Sequence, residues 1–145
     1  MPISTIMDGV DFASVTHSHF DHFYKPASKA LADSIKMYIQ PADSVAFKNE
    51  YGFENIEIIT DSIIIDGITT VRTSGIHGNG EIGLIMGAVS GFILKEQGNP
   101  TDYIFGDCLY TPEIKANIEK YHPEWVIPNS GGAIGLPLSM TDGRL

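Results

Sequence analysis

Val10-Asp11-Phe12-Ala13-Ser14-Val15-Thr16, running directly into His17-Ser18-His19-Phe20-Asp21-His22, is the passage on which the reading of this chain turns. Its first half is apolar and β-branched, the composition of a buried strand. Its second half is polar and stands at that strand's C-terminal end, where open α/β folds carry their chemistry. Three of the chain's five histidines fall within these last six residues. Imidazole and carboxylate are ligands that zinc, iron and manganese accept. In extended backbone His17 and His19 project to one side and reach one ion, and a turn after Phe20 brings Asp21 and His22 to a neighbouring one. Four ligands in six residues are more than a single ion easily takes, so the spacing suggests two metals.

Working outward, residues 27–33 have helical composition and residues 36–40 (KMYIQ) read as a second strand stopped by Pro41. A helix over 43–51 follows, ended by Gly52. The pieces NIEIIT, SIIID and ITTVRTS then read as a three-stranded meander, with Asp66-Gly67 as a hairpin turn. A glycine-dense stretch from Gly75 to Gly91 leads into the strand SGFILK, the turn Gly98-Asn99-Pro100, and a strand over 103–105 that ends in Gly106-Asp107. Thr111-Pro112 opens a helix through Lys120, with the threonine as cap and the proline in the first turn. Trp125-Val126-Ile127 is a last strand. Strands mixed with helices and no internal repeat place the chain in the α/β (α+β) class.

The 145 residues fit one domain, 43% of them are hydrophobic and 19% are charged, so there is a core to bury. A net charge of −9 opposes non-specific nucleic-acid binding. The single cysteine, Cys108, forms no intramolecular disulfide, and no stretch is apolar for long enough to span a bilayer. We therefore expect a cytoplasmic chain with neither membrane nor nucleic-acid partners.

Two more residues combine ligand chemistry with a strand end. His77 lies in a glycine-rich loop after a strand, and Asp107 follows the apolar YIFG, where a carboxylate needs a strong partner. Read singly, His77 is also an ordinary loop histidine and Asp107 a turn or cap aspartate. Cys108 reads as a small buried residue, with a thiolate ligand or nucleophile as the lesser alternative. His122 reads as a cation suited to a helix C-terminus, and Asp142 as a turn residue. Gly78-Asn79-Gly80-Glu81-Ile82-Gly83 formally matches G-x-G-x-x-G, but the following LIMGAVSGF reads as loop and strand rather than as the helix a dinucleotide site needs.

The H-x-H-x-D-H passage resembles the signature of the metallo-β-lactamase superfamily. The likeness continues in Thr16, in Arg72-Thr73-Ser74-Gly75-Ile76-His77-Gly78, in Gly80-Glu81-Ile82-Gly83 through Met86-Gly87, in Ser90-Gly91-Phe92, in Gly106-Asp107 and in Pro128-Asn129-Ser130-Gly131-Gly132-Ala133. Together they look like the branch of hydrolases related to ascorbate-phosphate lactonase. The resemblance implies a four-layer αββα sandwich, incomplete here, of which residues 1–145 would be the middle, cut at both ends. It implies that His17, His19 and His77 bind a first metal, that Asp21 and His22 bind a second, and that Asp107 bridges both. Asp21 and Asp107 would then be the catalytic carboxylates. The cofactor would be zinc, as two ions, with manganese or iron as alternatives. The family's further C-terminal metal-binding histidine has no counterpart before Leu145.

The function expected from this resemblance is metal-dependent hydrolysis of a small molecule, with zinc-activated water attacking an ester, lactone, amide or phosphodiester bond. The alternative is a non-catalytic or weakly metal-binding fragment of such a hydrolase, whose uncovered sheet edges would pair copies into a homo-oligomer.

Overall fold

Val15, Met37 and Ile39 alternate with polar neighbours along two short strands and bury one face of a parallel sheet, which is the period-2 pattern of a strand packed on one side. A computed structural model describes residues 3–32 and 34–129 of the chain. Strands β1 (Phe12–Val15), β2 (Lys36–Ile39) and β3 (Ile56–Ile58) form this first sheet in the order β1-β2-β3, all parallel. Parallel neighbours need a crossover. Helix α2 (Lys25–Ala30) lies between β1 and β2, and a 3-10 turn (Pro41–Asp43) with helix α3 (Ser44–Asn49) lies between β2 and β3. Phe23, Phe47 and Phe53 fill the space between these helices and the sheet, with Ala27 and Leu31 packed against them. A further short helix, α1 (Ile3–Met7), precedes β1.

The second sheet has the order β4-β5-β6-β7-β8, from β4 (Ser62–Ile65), β5 (Ile68–Ile76), β6 (Ala88–Lys95), β7 (Asp102–Ile104) and β8 (Trp125–Ile127). Its first four strands are antiparallel, and β8 is parallel to β7 across helix α5 (Pro112–Tyr121). Thr111 caps α5, its side chain accepting from the Ile114 amide at 3.3 Å. Ile114 and Tyr103 meet Ile93 and Phe105 beneath this helix.

Strand β6 is buried on both faces. Its Ile93 face lies under α5, and its Ser90 face looks toward the first sheet, where the Ser90 hydroxyl donates to Gln40 Oε1 at 2.8 Å. The layers therefore run helix, sheet, sheet, helix, as expected for an αββα sandwich of the α/β class.

Two sequence expectations change. The meander does not form, because α3 carries the chain across and β3 pairs with β2; only β4 and β5 make the hairpin, with Asp66 and Gly67 both at positive φ. The segment after Gly78 does form a helix, α4 (Gly80–Met86). Gly83 acts here as a close-packing residue rather than a breaker, because a Cβ on it would strike the Gly78 carbonyl, while Gly80 opens the helix at φ +55.

Candidate metal centre

The histidine-rich passage begins where the two sheets meet: the Thr16 carbonyl, just past β1, accepts the Ser90 amide of β6 at 3.2 Å. Beyond His19 the chain turns tightly, with the His22 and Phe23 amides both bonded to the His19 carbonyl at 2.9 and 2.8 Å. Burial of Phe23 in the aromatic core anchors this turn and carries His22 inward. Asp21 is left outside, more than half exposed, with a carboxylate oxygen 3.9 Å from His22 Nε2.

From the second sheet, β5 ends at Ile76 and delivers His77, and β7 leads through Gly106 to Asp107. Gly106 has φ +66, and a Cβ there would collide with the Ser90 carbonyl, so the turn that aims Asp107 requires glycine.

These segments bring five of the six expected ligands together. His17, His19 and His77 offer ligand atoms within 4.8 Å of one another, and so do His17, His22 and Asp107. His17 belongs to both groups, its ring centroid 4.1 Å from that of His22, 4.5 Å from that of His19 and 5.7 Å from that of His77. Asp107 Oδ2 lies 2.9 Å from His22 Nε2 and 3.3 Å from His77 Nε2. Asp21, expected beside His22 at the second metal, is not in either group.

Protonation follows from these partners. His17 is fully buried, and burial together with the neighbouring charges of His22 and His19 lowers its pKa from 6.5 to about 4. It is neutral at pH 7. Its Nδ1 pairs with the Thr16 hydroxyl at 3.1 Å, whereas Nε2 is buried with no protein partner. His19 Nε2 donates to the Met86 carbonyl at 2.8 Å, and because a carbonyl only accepts, this bond leaves the His19 lone pair on Nδ1. Burial would raise the Asp107 carboxyl, but the Asn129 hydrogen bond and then the bond and charge of His22 outweigh it and hold Asp107 below the ordinary carboxylate range. A neutral buried imidazole with an orphaned nitrogen, beside further imidazoles and an ionised carboxylate, is a donor set that fits a divalent transition metal.

Several residues at the site were assigned no function in the sequence reading, although Arg72, Ser90 and Asn129 lie in segments that carry the family resemblance. Asn129 donates to Asp107 Oδ1 at 3.0 Å. Behind the histidines, Ser18 donates to Asp43 Oδ1 at 2.7 Å, and Gln40 Nε2 donates to Asp43 Oδ2 at 2.9 Å and to the Ala88 carbonyl at 2.8 Å. Arg72 Nη1 donates to Ser90 Oγ at 3.1 Å. The usable signal was Ser18 itself, which must point away from its two histidine neighbours in extended backbone.

Cys108 lies outside both ligand groups. It is half-buried, its sulfur accepts the Ile76 amide at 3.2 Å, and burial raises its pKa, so it is a thiol and not a thiolate. His122 ends α5 in the left-handed conformation, φ 47. Asp142 and residues 130–133 lie outside the described residues. Among the described residues, no other group of metal-ligating side chains comes together.

No family model matches the chain. It is 36% identical over 130 residues to the UPF0173 protein YddR of Bacillus subtilis (strain 168), covering 89% of this chain and 51% of that one. It is 27% identical over 129 residues to a UPF0173 metal-dependent hydrolase of Roseiflexus sp. (strain RS-1), covering 83% and 52%. Among solved structures, the isothiocyanate hydrolase from Delia radicum gut bacteria superposes with a TM-score of 0.83 at 28% identity over 92% of this chain and 54% of that one. The metallo-β-lactamase fold protein YhfI from Bacillus subtilis superposes with a TM-score of 0.56 at 15% identity over 75% and 46%, a likeness of fold. The chain spans about half the length of the curated relatives it matches.

Proposed function

We propose that this chain, which carries the metallo-β-lactamase fold and is related to UPF0173 metal-dependent hydrolases, supplies the metal-binding half of a hydrolase acting on a small molecule. The observation that carries the reading is the orphaned Nε2 of buried, neutral His17, around which His19, His22, His77 and Asp107 gather. In this reading residues 1–145 are part of one domain.

His17 through Nε2, His19 through Nδ1, and His77 would hold a first ion; His22 and Asp107 would hold a second. Bound there, zinc, or manganese or iron in its place, supplies Lewis acidity that brings the pKa of water toward about 7 and polarises the scissile group. The chain's own residues do the rest. Met86 fixes the His19 ring, and Asn129 fixes the Asp107 carboxylate, leaving Oδ2 toward His22 and His77 to serve as a ligand. Asp21, exposed at the rim, orients the attacking water in this scheme. Exposed Phe20 beside His19, Leu84 and Ile85 on α4 just before Met86, and Tyr110 three residues past Asp107 would offer apolar contacts to a small uncharged substrate with an electrophilic carbon, the kind of compound that the name of the isothiocyanate hydrolase neighbour implies. One cysteine and no disulfide suit the cytoplasm.

The second reading, a chain that binds metal without turnover, is favoured by the sharing of His17 between both ligand groups: five side chains do not make two complete sets. Metal analysis of the purified chain, its oligomeric state, and hydrolysis of an isothiocyanate, a lactone and a phosphodiester separate the readings. Bound metal with turnover of any of the three supports the enzyme, metal without turnover supports the second reading, and a chain that takes up no zinc, manganese or iron overturns both.

A further inference from the structure

A buried polar chain runs from one sheet to the other directly behind the histidine passage. Arg72 of β5 donates to Ser90 of β6, Ser90 donates to Gln40 at the end of β2, Gln40 donates to Asp43, and Ser18 donates to Asp43 from the opposite side. Gln40 is 1% exposed, Ser90 0% and Asp43 9%. Each member of the row has a fixed role: the Ser90 hydroxyl accepts from Arg72 and donates to Gln40. Both Gln40 amide protons are given, to Asp43 and to the Ala88 carbonyl; its oxygen receives from Ser90; and each Asp43 oxygen receives one donor. Such a network has one arrangement: turning the Ser90 hydroxyl toward Arg72 sets donor against donor, and flipping the Gln40 amide sets its oxygen against the Asp43 carboxylate and the Ala88 carbonyl. Asp43 stands at the start of α3, where an aspartate commonly caps, yet it makes no side-chain cap bond. Its carboxylate is spent on Ser18 instead.

Ser18 separates His17 from His19. In extended backbone its side chain and theirs point to opposite sides, so anchoring Ser18 to Asp43 sets the direction of both imidazoles. The same row reaches the other side of His19 through the β6 entry: the Ala88 carbonyl binds Gln40, and two residues earlier the Met86 carbonyl binds His19 Nε2. We propose that Ser18 and Asp43, locked through Gln40, Ser90 and Arg72, are positioning residues that preset the His17 and His19 imidazoles for the first metal ion. This inference rests on the metal reading above and adds to it the groups that hold its first two ligands in register.

The test titrates cobalt(II) and zinc into the metal-free chain and its Ser18→Ala, Ser18→Thr and Asp43→Asn variants, following the visible cobalt bands and, in parallel, thermal unfolding without metal. Removing the support of a metal ligand typically weakens the site about 10–100-fold, and that is the loss expected at the first equivalent for Ser18→Ala and Asp43→Asn, with altered cobalt bands. Ser18→Thr keeps the hydroxyl and restores tight binding. If Asp43→Asn does not fold, the alanine and threonine pair at Ser18 decides. A Ser18→Ala chain that binds cobalt with the affinity and bands of the wild type overturns the inference, whatever its melting temperature. A wild-type chain that binds no metal overturns the metal reading and this inference with it, an outcome distinct from equal binding by both chains.

Discussion

Asn129, two residues past β8, donates to Asp107 Oδ1 at 3.0 Å and thereby divides that carboxylate: one oxygen is held by the amide, and the other faces His22 and His77. Without the amide the carboxylate can rotate, so Asn129→Ala should weaken metal uptake about 10–100-fold with little change in far-ultraviolet circular dichroism. Competition with a chromophoric chelator measures it; unchanged affinity would mean that Asp107 needs no such hold.

Asp107→Ala removes the carboxylate shared by His22 and His77 while leaving the strand before it intact. The variant should fold and lose bound metal, as counted by elemental analysis. Metal content equal to that of the wild type would take Asp107 out of the site.

His17 makes the metal-free protein sensitive to acid. Its pKa is about 4 when folded and near 6.5 when unfolded, so between these values the unfolded chain binds the extra proton and stability rises with pH. The contribution is whole above pH 6.5 and is lost as pH falls through the window toward 4, by up to ~3 kcal/mol. Urea unfolding at pH 7, 5.5 and 4 should show this slope, and His17→Asn, which does not titrate, should flatten it.

Gly106→Ala places a Cβ at φ +66 against the Ser90 carbonyl. Forced into that conformation and contact, the chain should lose about 2 kcal/mol or more. Because Asp107 comes next, the variant should also bind metal less well. A melting temperature equal to that of the wild type would show that the turn relaxes freely.

Local chemistry made much of this legible from residues alone. The strand before His17, the capped helix opened by Thr111-Pro112 and the hairpin at Asp66-Gly67 all follow from short-range rules, and those rules located them. What failed depended on distant partners. NIEI was assigned to a meander because nothing in its own letters says that α3 returns it beside β2. The α4 segment looked too rich in glycine for a helix, yet Gly83 fits a close approach to the Gly78 backbone that only folding creates. Asp21, grouped with His22 by spacing, does lie near it, 3.9 Å from Nε2, but more than half exposed, a position that the anchoring of Phe23 sets. Gln40 and Asp43, three residues apart, lie far from Arg72 and Ser90 in the chain, and although the last two fall in segments that carry the family resemblance, nothing in the letters joins the four behind His17.

The two-sided burial of β6 has a consequence for which changes of length this protein can tolerate. Ser90 serves one face of that strand, and Val89 and Ile93 serve the other. A single-residue insertion or deletion between Val89 and Ile93 would exchange the faces over part of the strand, setting a valine or a glycine against Gln40 or turning the Ser90 hydroxyl to the α5 side. The turn at residues 96–100, a few positions on, is exposed and bears no such double duty. Length variation across homologous sequences should therefore collect in that turn and stop abruptly at the strand, and a library of single-codon insertions through 86–100 should divide at the same boundary.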